Sequence, residues 1–555
     1  DNINLNHSLN INADIQLDSF HSIKINAAFS QQDTKNRSLG NYKTITDKNS
    51  LLNDGSSDNV ADNSGYNFTT GILYRKKFHR KGRTFSVNLQ GNFNNSDGNG
   101  RLKSLTRFYD TAGVLLSNDS INQQSTSHAD LNGYTARVVY TEPIFKRSLL
   151  EFSVGRTYNK NTAAKETFDY NTLNGKFDLL NAALTNDFAS NYNSNNAGIR
   201  LRKQTKKYNF ALGISLQKAT LEGSLVNSDH FAPVKKTFSN LLPNARFQYQ
   251  FSRYKNITLN YTTSTNQPLI SQLQPIPDNS DRLSIKVGNP DLDQEYNHTL
   301  RLNAMFSNPF KNRTFFVFAS FQLTKNKIVN SNNINNLGID SVMLVNTNAV
   351  YNFNSSASYS FPVRFLKATM EISSVANYSK GKQFLQGLSN NISQLMIAPF
   401  MRIDMSPSDK LTIGLSAEIS YYNTKYSLQP KANNNYFYQE YGTDIGLELP
   451  KGFFFSTDFN YQITNQQAAG YNQHVPIWNM SISKQMLRFN RGELKLSVND
   501  LLNKNTNINR TANLNYIEDR QVNSLRRYFM LTFTYNLSKT GLDKSNEGGG
   551  RVIRR

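Results

Sequence analysis

The stretch NINLNHSLNINADIQLD, residues 2–18, alternates from end to end. Ile3, Leu5, Leu9, Ile11, Ala13, Ile15 and Leu17 stand on the odd positions, with His7 among them. Asn2, Asn4, Asn6, Ser8, Asn10, Asn12, Asp14 and Gln16 stand on the even ones. A period of two puts every apolar side chain on one face of an extended strand and every amide, hydroxyl and carboxylate on the other. A globular strand has about 5–6 residues. This comb is roughly three times as long, enough to cross a hydrocarbon layer at a tilt.

The comb recurs along the chain. Phe85, Val87, Leu89 and Phe93 alternate with Ser86, Asn88, Gln90 and Asn92. Leu411, Ile413, Leu415, Ala417 and Ile419 alternate with Thr412, Gly414, Ser416, Glu418 and Ser420. Phe529, Leu531, Phe533 and Tyr535 do the same near the end. A soluble β-sandwich also alternates, but with short strands. Strands of 10–16 residues argue instead for a sheet with lipid on one side and water on the other. The low mean hydropathy of −0.57 and an apolar content of 38% agree, because alternating strands average out in a hydropathy window.

Connections fall into two populations. The short ones are 18–21, 76–83, 142–147, 203–207, 252–256, 308–312, 361–365, 406–410, 449–452 and 487–491. Long Asn-, Ser-, Asp- and Gly-rich segments alternate with them, near 31–63, 95–126, 160–190, 220–236, 265–293, 325–346, 381–390, 424–433, 465–474 and 501–525. Ten short and ten long connections join 21 strands. Short turns on one side and long loops on the other mark an all-β transmembrane antiparallel up-and-down β-barrel. Single-chain barrels have even strand numbers, so one further strand would give 22, the size of the plugged transporters. The expected organisation is a barrel over 1–540, lacking its first strand and plug, with a flexible tail over 541–555.

The net charge of +22 invites a nucleic-acid reading. The basic residues are instead scattered over nine of the ten short turns, where strand ends meet headgroups. No nucleic-acid partner is expected. Cysteine is absent, and no metalloprotease, nucleophile-elbow or phosphate-loop motif occurs. No catalytic, cofactor or metal residue is assigned, and the chain reads as a non-enzyme. Glu295 and His298 read as polar residues opening a strand. Asp14, Glu151, Glu418, Asp458 and Glu493 on the polar face could pair with Lys495 or Arg301, or form a polar track. Trp478, opening its strand, and Tyr421 and Tyr422, ending theirs, are candidate interfacial anchors.

Residues 241–302 carry a more specific signal. Their elements are LLPNARF, the TNQPLISQLQP loop and the turn GNPDLDQEYNH. With IWNMSISKQM, LKLSVNDLLNKN and RRYFMLTFTYNL further on, the chain resembles the outer-membrane β-barrel family of Bacteroidota related to TonB-dependent receptors. The resemblance implies an outer-membrane transporter barrel for an unidentified solute. It also implies an N-terminal plug domain, a periplasmic TonB-type energy transducer, contact with outer-membrane lipid and lipopolysaccharide, and room for a surface lipoprotein. The alternatives are a non-transporting barrel subunit or scaffold of a secretion or assembly complex, and a soluble all-β adhesin. Within the loop 265–293, Pro268, Pro275, Pro277 and Pro290 fix φ. Gly288 can take a turn conformation that other residues avoid. With Gln272 and Asn289 these residues make a shaped candidate loop for capture or gating at the mouth.

Overall fold

The computed structural model describes residues 2–46, 50–110, 112–225, 233–273, 277, 283–465, 473–505, 507–512, 517–522 and 526–536. The expected tail 541–555 and Pro275 lie outside these residues. One sheet contains 25 strands, and a separate two-stranded hairpin pairs Asn507–Ala512 with Ile517–Val522. Four strands of the large sheet are short additions: Lys176–Leu180, Ser284–Val287, Lys327–Ile334 and Asp340–Thr347. Removing those four from the 25 leaves 21 wall strands, each antiparallel to the next in chain order. That is the count the alternation gives. No helix among the described residues is long and apolar enough to cross a membrane. The one α-helix among the described residues, Ile270–Leu273, has four residues.

The first wall strand, Asn2–Gln16, pairs only with His21–Ile45, and the last, Tyr528–Tyr535, only with Gly492–Asn499. The sheet therefore has two free edges among the described residues. An odd number of alternating strands makes both edges run the same way, toward the short turns.

All ten short connections appear where the sequence puts them. The long ones need correction. Segments 31–63 and 95–126 are strand for most of their length: His21–Ile45, Leu51–Lys77, Thr84–Tyr109 and Leu115–Phe145 run for 25, 27, 26 and 31 residues. Segment 160–190 is also largely strand. An antiparallel ladder needs only backbone donors and acceptors to continue, and residues 1–142 contain no proline to stop it. The connection read as 381–390 is a two-residue hairpin, with Gln386 and Gly387 at φ 51° and 76°. Positive φ at both positions is the hairpin geometry that matches strand twist.

The apolar face carries aromatic rows at two heights. Phe251, Phe306, Phe315 and Tyr359 line up beside the short turns, with successive ring centroids 5.8, 6.4 and 6.4 Å apart. Higher on the same strands, His298 lies 4.8 Å from Tyr296 and 6.3 Å from Tyr261. Phe306 and Tyr296 share a strand, and a rise of about ten residues from one to the other spans roughly 24 Å of height at a tilt of about 45°. An outer-membrane apolar band flanked by aromatic girdles is about 25 Å tall.

Candidate functional site

Above that band the alternation changes phase. In Tyr208–Leu225, Leu212, Ile214 and Leu216 point to the apolar face and are 55%, 41% and 65% exposed. From Ala219 onward the apolar residues move to the opposite face: Ala219 and Leu221 are buried, while Lys218, Thr220 and Glu222 take the outside. The neighbours do likewise. Tyr192 pairs with Leu221, and Phe238 with Ala219, on the polar side of the sheet. A patch of apolar wall therefore faces inward, just where outward apolar residues would meet water.

Described residues 267–273 and 283–292, with the hairpin 327–347, cover this patch. Leu273 and Leu292, between the strands Lys255–Asn266 and Glu295–Asn308, pack with Tyr192, Ala219 and Leu221, and Phe238, Ile328 and Leu344 complete the cluster. Leu292 is 1% exposed, worth about 1.5–3 kcal/mol of burial. Pro268 is fully buried beneath the loop. Ser284–Val287 pairs in parallel with Asp340–Thr347, which forms a hairpin with Lys327–Ile334. That hairpin also touches the strand Ala368–Leu385 through Ser331 and Asn332. The result is a folded cap rather than a set of separate loops.

Polar contacts lock the cap to the wall. Lys236 Nζ donates to the Leu292 carbonyl at 2.7 Å. Asn289 Nδ2 donates to the Leu344 carbonyl at 2.8 Å, and its backbone N–H donates to the Gln272 carbonyl at 2.7 Å. The buried Glu295 carboxylate takes Lys327 Nζ at 2.9 Å and the Ile328 N–H at 3.0 Å. Across the mouth, Asn53 Nδ2 donates to the Leu337 carbonyl at 2.9 Å. Residues 284 apart in sequence meet there, so the sheet curls far enough for its early strands to reach the cap.

The structure brings most of the candidate loop residues together. Pro268, Gln272, Gly288, Asn289 and Pro290 all belong to the cap, whereas Pro277 is exposed. Gly288 requires a correction: it is buried, and its φ lies outside the left-handed region. Glu295 is also a correction, since it anchors the cap instead of meeting water at a strand end. Of the polar-face carboxylates, Glu151 pairs with Arg202 at 2.6 Å, and Asp458 accepts from Asn479 at 2.8 Å. A second polar region lies lower on the wall, a groove lined by Asn10, Asn12, Asn26, Gln90, Asn92 and Asn159.

The anchor residues sit elsewhere along their strands than the sequence suggests. Trp478 is in the middle of Gln473–Met486, with Nε1 donating to Thr457 Oγ1 at 2.7 Å and its ring edge-on to Phe459. Tyr421 and Tyr422 lie inside Leu411–Tyr426 and, being adjacent, on opposite faces. Tyr421 packs on Phe437 on the apolar face, while Tyr422 stacks on Tyr436 at 4.7 Å on the polar face. Only Tyr421 of the two can meet lipid.

Comparison with known proteins gives a family. A model described as the outer membrane protein beta-barrel family matches residues 76–406 and 396–535. No curated protein matches the chain in sequence. Among solved structures, the copper transporter OprC is 9% identical, covering 96% of this chain and 82% of its own, with a TM-score of 0.44. The pyoverdine-bound FpvA of P. aeruginosa is 10% identical over 96% and 70%, with a TM-score of 0.47. The siderophore receptor PirA from Pseudomonas aeruginosa is 12% identical over 96% and 80%, with a TM-score of 0.39.

Proposed function

The chain belongs to the outer membrane protein beta-barrel family of the bacterial outer membrane, and from that premise we propose that it forms most of the wall of a TonB-dependent-receptor-like transporter of the Bacteroidota. One observation carries the reading. The wall has 21 strands, and both free edges run toward the short turns. One strand running the other way would pair antiparallel with both edges and close the sheet at 22. That is the size of barrels that hold a plug, and closure satisfies backbone groups that hydrocarbon cannot.

In this reading the short-turn rim faces the periplasm and the cap sits at the extracellular mouth. A plug occupies the Asn-, Gln- and Thr-lined interior, and a periplasmic energy transducer pulls on it. The cap residues Pro268, Gln272, Gly288, Asn289 and Pro290, with Pro275 and Pro277 of the same sequence segment, are the candidates for shaping the entrance through which a solute passes. Trp478 and Tyr421 hold the wall against lipid and lipopolysaccharide, and a surface lipoprotein could seat on the cap. The test is uptake. Cells with and without the protein are compared for every small solute they remove from the medium, before and after collapse of the proton gradient. Protein-dependent, gradient-dependent depletion of at least one solute is the expected result. Equal depletion of all solutes leaves the scaffold role instead.

A further inference from the structure

Toward the mouth ends of the last three wall strands lies a cavity of about 340 Å³, lined by Ile477, Asn479, Asn499, Asp500, Asn505 and Tyr528. Asn499 and Tyr528 are cross-strand partners. Asn479 stands one step beyond the Met480–Val498 pair, so it neighbours Asn499. It also pairs with Asp458 on its other side, which puts the row on the polar face of the sheet. The strand Gly492–Asn499 rises from the short turn 487–491 and ends at this cavity.

Asp500 is the most deeply buried acidic residue among the described ones, 4% exposed. Glu295, the buried carboxylate of the cap, has Lys327 as its counter-charge. Asp500 forms no ion pair among the described residues. Its oxygens accept only the backbone N–H groups of Lys504 and Asn505, both at 3.0 Å. A carboxylate has about four acceptor sites, so roughly half of them stay open. Arg527 sends its guanidinium to the Leu501 carbonyl at 3.3 Å instead. Asn479 is engaged by the wall: its Oδ1 accepts the Asp500 N–H and its Nδ2 donates to Asp458, both at 2.8 Å. The side chains of Asn499, Asn505 and Tyr528, by contrast, make no hydrogen bond among the described residues. One uncompensated carboxylate and three unengaged polar side chains therefore share one cavity.

The occupant follows from charge and size. A buried negative charge without a counter-charge is costly until a cation joins it. The cavity lies at the small end of the range for organic ligands, about 300–1,000 Å³, and is far larger than a bare ion needs. A calcium ion takes about 6–8 oxygen ligands, and its affinity follows the number of charged ones; a single carboxylate lines this cavity. An ammonium group suits the lining better. Its three donors meet the carboxylate, the carboxamide oxygens and the phenol oxygen. The Tyr528 ring can face a cation, and Ile477 can cover an apolar body. We propose that this cavity binds a small organic cation carrying a primary ammonium group, held by Asp500 together with Asn499, Asn505 and Tyr528. The proposal needs the fold alone and goes beyond the uptake reading.

Titration calorimetry on the full-length protein, in a detergent of neutral headgroup, compares cadaverine, 1,5-pentanediol and glutarate. The three share a five-carbon chain and differ in charge. Cadaverine is expected to bind about tenfold tighter than the diol, or more, and glutarate to give no binding. The net charge of +22 favours the opposite order, so nonspecific attraction does not produce this one. Asp500→Asn should bring cadaverine level with the diol. Because Asp500 also holds its own turn, Asn499→Ala and Tyr528→Phe supply a second measure. Neither removes a hydrogen bond that the folded chain makes, and each should weaken cadaverine by about threefold. Equal binding of cadaverine and the diol, or cadaverine binding unchanged in all three variants, overturns the proposal. So does a calcium titration that saturates and is lost in Asp500→Asn while cadaverine gives no heat, the result a bare-ion site would give. Binding is read on purified protein, so uptake by cells can fail while this site stands, and the reverse.

Discussion

Two parts of the wall handle the space above the membrane differently. Between residues 21 and 171 the strands carry on upward for 24–31 residues each. Between 255 and 363 they stop at 12–14 residues, and the chain between them folds back over the polar face as the cap. Both stretches are rich in Asn and Ser, so composition does not separate them. Proline does. Residues 1–142 have none, while Pro268, Pro275, Pro277 and Pro290, all in the segment 265–293, account for four of the 14 in the chain. An uninterrupted ladder propagates; one that lacks donors ends and releases a loop to pack elsewhere. The Asn53–Leu337 contact joins the two regions across the mouth.

The largest effect expected of a single change is in the cap. Leu292→Ala removes the most buried apolar side chain there and should cost about 2–5 kcal/mol. Hydrogen exchange should show 284–292 and 327–347 opening more often while the strands 21–171 keep their protection. Equal loosening of both regions would contradict a separately packed cap.

Lys327→Met comes next. It strands the Glu295 carboxylate, which is 8% exposed, but Lys327 itself is 39% exposed. A cost near the low end for a broken buried pair, about 3 kcal/mol, is therefore expected in cap opening. Adding Glu295→Gln should recover most of it. No recovery in the double variant would mean the pair is not what holds the hairpin down.

A proline placed in the extended region would test the cause of the difference. Asn59 sits in the middle strand of three, paired with Ser38 and Leu102. Asn59→Pro deletes one ladder donor and leaves an acceptor unpaired, about 1–3 kcal/mol. Exchange protection should fall above residue 59 on its strand and at the facing tips only. Loss of protection down to the short turns would show the extension and the membrane wall to be one cooperative unit.

Much of this was readable beforehand. The comb gave the strands, their two faces and the number 21, because a lipid-facing wall tolerates no break in its period. The cap's core was missed because Ala219 and Leu221 continue a strand whose earlier apolar residues, Leu212 to Leu216, face the other way. A phase change at residues 217–218 was the available signal. Glu295 could not be paired from sequence, since Lys327 reaches it only through the fold of a loop. Tyr422 was separable in principle, because adjacent strand residues cannot share a face.

The smallest effect concerns charge on the extensions. His128 lies between Asp97 at 2.6 Å and Asp130 at 2.8 Å. It stands roughly 40 Å above the short turns, beyond the apolar band. The Asp97 hydrogen bond, then Asp130, raises its pKa above the usual histidine value. Because the folded value is raised, the protonated ring stabilises the extension fully below pH about 6.5. That contribution is lost as pH climbs through the raised value. With the ring 51% exposed, the change should be slight, visible as faster exchange near residues 97 and 128 at alkaline pH. His128→Gln should remove the pH dependence; an unchanged profile in that variant would assign it to another group.

The central claim is that the comb separates lipid from water residue by residue. The absence of cysteine allows single cysteines to be placed one at a time along 411–420 in membrane-embedded protein. Cysteines at 412, 416 and 418 should react with a water-soluble thiol reagent. Those at 411, 413, 415 and 417 should resist it and respond to a lipid-phase quencher. Equal reactivity at odd and even positions would contradict the claim.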